Sequence, residues 1–166
     1  METNTLMSFN HLADVLDKYG AAVCEAYRKE LAAKGKNAAG ALSGSVRYIV
    51  KRETATYAVD LSLADYWKYV EYGRGPGKFP PPDKILEWVR IKPVIPRPME
   101  NGKLPTDKQL AYLIGRKIAR DGIEPTPALS TASGSVYKVF LARIGEAITA
   151  DLASAVDGVL AGIAGN

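Results

Sequence analysis

The chain has 166 residues, 47% hydrophobic and 24% charged, which places it in the ordinary globular range with length enough for one packed core. Cys24 is its only cysteine and His11 its only histidine, so an intramolecular disulfide, a cysteine-based zinc cluster and a multi-histidine metal site are all excluded. The net charge of +4 is uneven: residues 74–120 hold 11 basic and 4 acidic side chains, whereas residues 121–166 hold 2 and 5.

The amino terminus carries Glu2 where a secretory signal would be basic, and it lacks a continuous apolar run, so export by that route is not expected. From Leu12 onward, Val15, Leu16, Tyr19, Val23, Tyr27 and Leu31 recur at three- and four-residue steps and predict an amphipathic helix ending near Gly35. The small, glycine-bearing KGKNAAGALSGS then reads as a flexible connection near 35–45. Alternation of Val46, Tyr48 and Val50, and of Tyr57, Val59, Leu61 and Leu63, predicts two half-buried strands joined as a hairpin at the polar KRETA corner.

The segment ADYWKYVEYG predicts a short helix with Tyr66, Tyr69 and Val70 on one side, and DKILEWVRI a second with Pro82 in its first turn and Ile85, Leu86 and Val89 on one side. A long proline-bearing loop is expected near 92–105. Thr106 and Gln109 form a capping box for a helix whose stripe is Leu110, Leu113, Ile114 and Ile118, closed by Gly122. After the turn-rich EPTPALSTASGS comes a long last helix with Val136, Phe140, Ile144, Ile148, Leu152, Val156 and Val159 as its apolar stripe. That stripe is expected to be core, because Glu146, Asp151 and Asp157 interrupt it as a membrane span.

The stretch YGRGPGKFPPP, from Tyr72 to Pro82, superficially suggests a phosphate loop. Gly73 and Gly77 enclose only three residues, Lys78 is followed by Phe79 rather than a hydroxyl residue, and three prolines impose an extended segment before any helix. No cofactor is expected. His11 has no evident partner, and no spacing singles out two of Asp65, Glu71, Asp83 and Glu87 as a general acid and base, so the chain reads as non-enzymatic. Basic residues of 74–120 lie among Tyr72, Phe79, Trp88 and Tyr112, a mixture suited to phosphates and stacked bases. The alternative reading is therefore a nucleic-acid-binding accessory protein; the competing one is a solvated face.

Three segments taken together resemble the tail-completion and neck proteins of long-tailed bacteriophages. GALSGSV, between the first helix and the first strand, is similar to their "TGxLxxS" step, and YWKYVEYGRGPGKFPPP to their "Y-x-x-(Y/F)-V-E-x-G-T" step. LAYLIGRKIARDGIEPTPAL is similar to the variant in which an inserted helix precedes the "R-P-F-L-x-P-A" turn and the final helix. Arg74 stands where threonine is usual, and Thr126-Pro127-Ala128-Leu129 where Arg-Pro-Phe-Leu is usual. The resemblance covers residues 10–160. It implies a non-enzymatic virion component at the neck or top of the tail, assembled in the bacterial host cytoplasm, forming a homo-oligomeric ring and touching other neck and tail proteins, with no membrane partner.

The expected architecture is α+β in one domain: a long first helix, a small antiparallel sheet, short middle helices and a long carboxy-terminal helix packed on the sheet. The candidate interaction residues are Tyr72, Arg74, Lys78, Phe79, Arg97 and Lys103. In this reading YGRGPGKFPPP is a structural corner whose exposed charge meets a protein acid or the axial DNA.

Overall fold

A computed structural model describes residues 9–36, 40–53, 56–91, 95–100 and 102–164. Its elements run α1 (Asn10–Ala33), α2 (Ala41–Ser45), β1 (Arg47–Glu53), β2 (Thr56–Ser62), α3 (Trp67–Glu71), α4 (Pro82–Ile91), α5 (Asp107–Asp121) and α6 (Ala128–Ala164). The fold is α+β, with a long helix at each end of the chain and a two-stranded antiparallel sheet. Two compact units emerge, each drawn from separate stretches. The first takes the chain up to Lys29, Val46–Leu63 and everything from Ser130; the second takes Glu30–Ser45 and Ala64–Leu129.

In the first unit, β1 and β2 pair from Arg47 opposite Ser62 to Glu53 opposite Thr56. Alternation holds in β1, where Val46 is buried and Tyr48 and Val50 half-buried while Ile49 between them is exposed; β2 does not alternate, being half-buried at every position from Tyr57 to Leu61. The sheet face lies close against α1. A Cβ on Gly20 would fall 2.3 Å from the Tyr48 ring, so only glycine lets the helix and the ring meet, and the Tyr48 hydroxyl then donates to Asp17 at 3.1 Å. Val23, Cys24 and Tyr27 form the buried stripe of α1, and Tyr19 meets Phe140 of α6 edge to face at 5.7 Å.

The carboxy-terminal helix departs from expectation along its length. Phe140, Ala147 and Asp151 are buried and Val136, Ile144 and Ile148 half-buried, yet Leu152, Val156 and Val159 are exposed. Geometry gives the reason. A 37-residue helix is roughly 55 Å long, whereas seven-residue strands span roughly 23 Å, so the sheet can cover only part of it. Asp151 also marks the level at which α1 begins, because its carboxylate accepts from the amides of His11 at 3.0 Å and Leu12 at 2.9 Å and lies 2.7 Å from His11 Nδ1. Among the described residues α6 is the one helix long and apolar enough to cross a membrane, by length and composition alone.

In the second unit, the connection read near 35–45 contains the short helix α2, with Leu42 and Ser43 buried; residues 37–39 lie outside the described residues. Ser45 Oγ holds the far side of the hairpin by accepting from the Ala64 amide at 3.0 Å. Helices α4 and α5 pack on each other, and the capping box is present: Thr106 accepts from the Gln109 amide, and Gln109 Oε1 accepts from the Thr106 amide at 2.9 Å. Gly122, at φ 78°, ends α5. The stripe of α5 differs from the expected one: Leu113 is exposed and the buried positions are Ala111 and Gly115. Small residues lie inward here because Phe79 closes directly onto this face, 2.5 Å from where a Gly115 Cβ would stand. In the expected long loop, residues 95–100 and 102–105 carry no helix or strand, and residues 92–94 and 101 lie outside the described residues.

Candidate interaction site

The corner after α3 is held by backbone. Arg74 and Ile123 exchange amide-to-carbonyl bonds at 2.9 and 2.7 Å, an isolated antiparallel bridge, and the Gly77 amide donates to Ala119 at 2.7 Å. Glycine is required at 73 twice over. Its φ is 70°, and a Cβ there would meet the Ile123 carbonyl at 2.4 Å and Pro125 N at 2.8 Å. The amides of Arg74 and Gly77 thus serve the fold, and a phosphate cradle made of this loop would need them.

Four of the six candidate residues come together at this corner. Tyr72 is 71% exposed, its ring tilted over Trp67 at 5.9 Å. Arg74 is half-buried, and its guanidinium donates to the Lys78 carbonyl, tying the loop to itself. The Lys78 side chain is exposed. Phe79 is half-buried and stacks on Tyr112 of α5 at 5.8 Å, followed by buried Pro80. Arg97 and Lys103 lie elsewhere, on the loop before α5, where a turn is closed by the Met99 amide donating to Lys103 at 2.9 Å and the Gly102 amide donating to Met99 at 2.8 Å. Tyr112 serves both places, since it also lines, with Met99, Lys108, Gln109 and Leu113, a shallow apolar depression of about 310 Å³.

Glu71 was readable only as a surface acid, and it is buried, 5% exposed. Its Oε2 accepts from the Leu129 amide at 2.8 Å, 58 residues later in the chain, so the carboxylate caps the first turn of α6. Beside it the Thr126 amide donates to the Val70 carbonyl at 2.7 Å. Residues 70–74 therefore lie along residues 123–129, joined by backbone at both ends and by the Glu71 carboxylate between. Asp65, Asp83 and Glu87 are exposed. The expected aromatic face of α3 also turns outward, with Tyr66 and Tyr69 40% and 54% exposed and Glu71 taking the inward position.

Asp151 does in the first unit what Glu71 does in the second. Burial alone would raise its pKa, but the amides of Leu12 and His11 and the His11 ring outweigh that and hold the carboxyl below the ordinary aspartate value. The imidazole it touches is largely exposed and serves the start of α1. His11, for which the sequence offers no evident partner, thus has one in Asp151, 140 residues away in the chain.

Basicity belongs to the second unit. Lys78, Lys84, Arg116, Lys117 and Arg120 are all exposed there, and Arg120 is paired with Asp121 at 2.6 Å. Among the described residues no group of acidic, histidine and cysteine side chains is arranged to hold a metal ion. Comparisons with protein-family models, with curated proteins and with solved structures return no match.

Proposed function

We propose that this chain is a structural bacteriophage virion protein of tail completion or head-to-tail joining, acting as a homo-oligomeric ring at the neck or top of the tail. The observation that carries this reading is the meeting of two motifs. The segment similar to the "V-E-x-G" step and the segment similar to the final turn are about 50 residues apart in the chain, and they dock through Val70, Glu71, Gly73 and Arg74 against 123–129. Two accidental likenesses would have no reason to be each other's structural complement. The third segment, GALSGSV, forms α2 and leads into β1, where Ser45 binds Ala64 at the far end of the hairpin.

The chemistry on the page agrees with such a role. Buried carboxylates are committed to helix ends, the glycine corner is committed to backbone bonds, and exposed Tyr66, Tyr69, Tyr72 and Arg116 are of the residue types enriched at protein interfaces. A ring component needs fixed corners and joining surfaces, not a titrating site. The second reading, a nucleic-acid-binding accessory role, draws on the exposed Arg116 and Lys117 of α5.

The test is electron microscopy of negatively stained purified protein, alone and mixed with tails from a phage in which its gene is disrupted. Rings, and their appearance at tail ends with recovery of infectious particles, are expected. A protein that forms no ring, leaves the tails unchanged and binds duplex DNA with an affinity falling steeply with salt would replace this reading with the second.

A further inference from the structure

Beyond half-buried Ala155, every described residue of α6 is exposed, and that stretch is not polar. Leu152, Val156, Val159, Leu160 and Ile163 are 45%, 57%, 64%, 57% and 70% exposed. Four of them, Leu152, Val156, Val159 and Ile163, follow one another at steps of four, three and four residues. This is the seam spacing of a helix that pairs with another helix. If Val156 and Ile163 are the a positions, Leu152 and Val159 are the d positions, which puts β-branched residues at a and leucine at one d, the pattern favouring two parallel strands.

The remaining residues fit the same register. Asp157, the sole charge after Asp151, falls at b and so points away from the seam, while Ala155 and Gly162 at g permit close approach of a neighbouring backbone. The strip amounts to roughly 500 Å² of apolar surface, at the upper end of what a monomer leaves uncovered, so two copies would bury on the order of 1,000 Å², the lower bound for a specific interface.

From the spacing, the outward Asp157 and the area we infer that Leu152–Ile163 is a self-association seam, pairing in parallel with the same segment of a second copy. The inference rests on the self-assembly part of the proposed function and names one pairwise contact between copies; because that contact is two-fold and closes on itself, a ring needs a second, separate surface to join the pairs. A parallel pair brings d positions face to face across the seam and keeps b positions apart.

Cysteine trapping tests it directly, because the native Cys24 is buried and will not compete. Val159→Cys should give a disulfide-linked dimer under mild oxidation and Asp157→Cys should not. In a second test, Val156→Asp with Val159→Asp should leave the helical signal and the melting temperature of the dilute, monomeric protein unchanged and lower self-association at least tenfold, read by sedimentation over a roughly hundredfold range of concentration. Equal cross-linking at 157 and 159, or unaltered association of the double variant, overturns the seam. So does a fall in melting temperature measured at dilutions where the parent is monomeric, which would mean the face is packed within its own chain, and so does binding of the parent to neutral phosphatidylcholine vesicles in place of self-association, which would assign the strip to a bilayer. Rings that persist in the double variant sink the seam and leave the ring standing; dimers that never close sink the ring and leave the seam.

Discussion

Glu71 offers the sharpest single-residue test of the fold. Its carboxylate is buried and accepts from the Leu129 amide at 2.8 Å, and replacing it by alanine strands a buried donor in the first turn of α6. An unsatisfied buried donor costs about 1–3 kcal/mol, and loss of a helix cap costs about 0.5–2 kcal/mol. The two overlap, so Glu71→Ala should lose about 2–4 kcal/mol. Glu71→Gln keeps the length and an acceptor oxygen but gives up the negative charge at the positive end of the helix, worth about 1 kcal/mol. For a chain of this size each kcal/mol lowers the melting temperature by roughly 2–4 °C, so roughly 4–16 °C is expected for alanine and roughly 2–4 °C for glutamine. Both tryptophans, Trp67 and Trp88, lie in the second unit, which makes their fluorescence a direct readout of the unit that Glu71 holds. Exposed Glu124→Ala is the control. The reasoning fails if Glu71→Ala melts within about 1 °C of the parent, or if glutamine costs as much as alanine.

Gly73→Ala should cost about 2–4 kcal/mol in thermal melts, through positive φ and collision with the Ile123 carbonyl, whereas Gly75→Ala, with open space around its Cβ position, should cost under about 1 kcal/mol. Asp151 predicts an acid limb: its folded pKa lies below the unfolded value of 3.8, so its stabilisation is fully present above about pH 5 and is lost as pH falls through 4 and below. Asp151→Asn should flatten that limb of melting temperature against pH while lowering stability at neutral pH. Lys78→Gln with Lys117→Gln should leave melting unchanged, both side chains being exposed, but reduce the yield of infectious particles, most clearly at raised salt. Yields equal to the parent at every salt concentration would make this charge a solvated face.

Local signals were legible and distant ones were not. The stripe of α1, the hairpin pairing with the alternation of β1, and the Thr106–Gln109 capping box depend on residues within a few positions of one another, and each forms as the local pattern predicts; β2, half-buried along Tyr57–Leu61, does not alternate. The apolar repeat of α6 is equally regular on both sides of Asp151, and periodicity says which way a helix faces, not where its cover ends. Glu71 has the look of any surface acid because its partner is 58 residues away. Leu113 outranks Ala111 and Gly115 by hydrophobicity, but the close approach of Phe79 selects the small residues for the interior.

The departures from the phage motifs can be read in the same physical terms. Arg74 stands where threonine is usual, yet what position 74 gives to the joint is its amide and carbonyl, both bonded to Ile123. Position 126 likewise contributes an amide to Val70, and position 129 an amide to Glu71, so Thr126 and Leu129 can differ in side chain without loss of the bond. The positions where chemistry is required are others: Glu71 for its charge and reach, Gly73 for its missing Cβ, and Pro127, which suits the entry to a helix because it needs no amide partner. All three match the motifs. Arg74→Thr should therefore keep the Ile123 bridge and lose only the exposed bond from the guanidinium to Lys78, costing about 1 kcal/mol in melting experiments. That is well below the expected cost of Glu71→Ala. If instead Arg74→Thr destabilised as much as Glu71→Ala, the side chain at 74 would be part of the joint, and the likeness to a threonine-bearing motif would lose its structural basis.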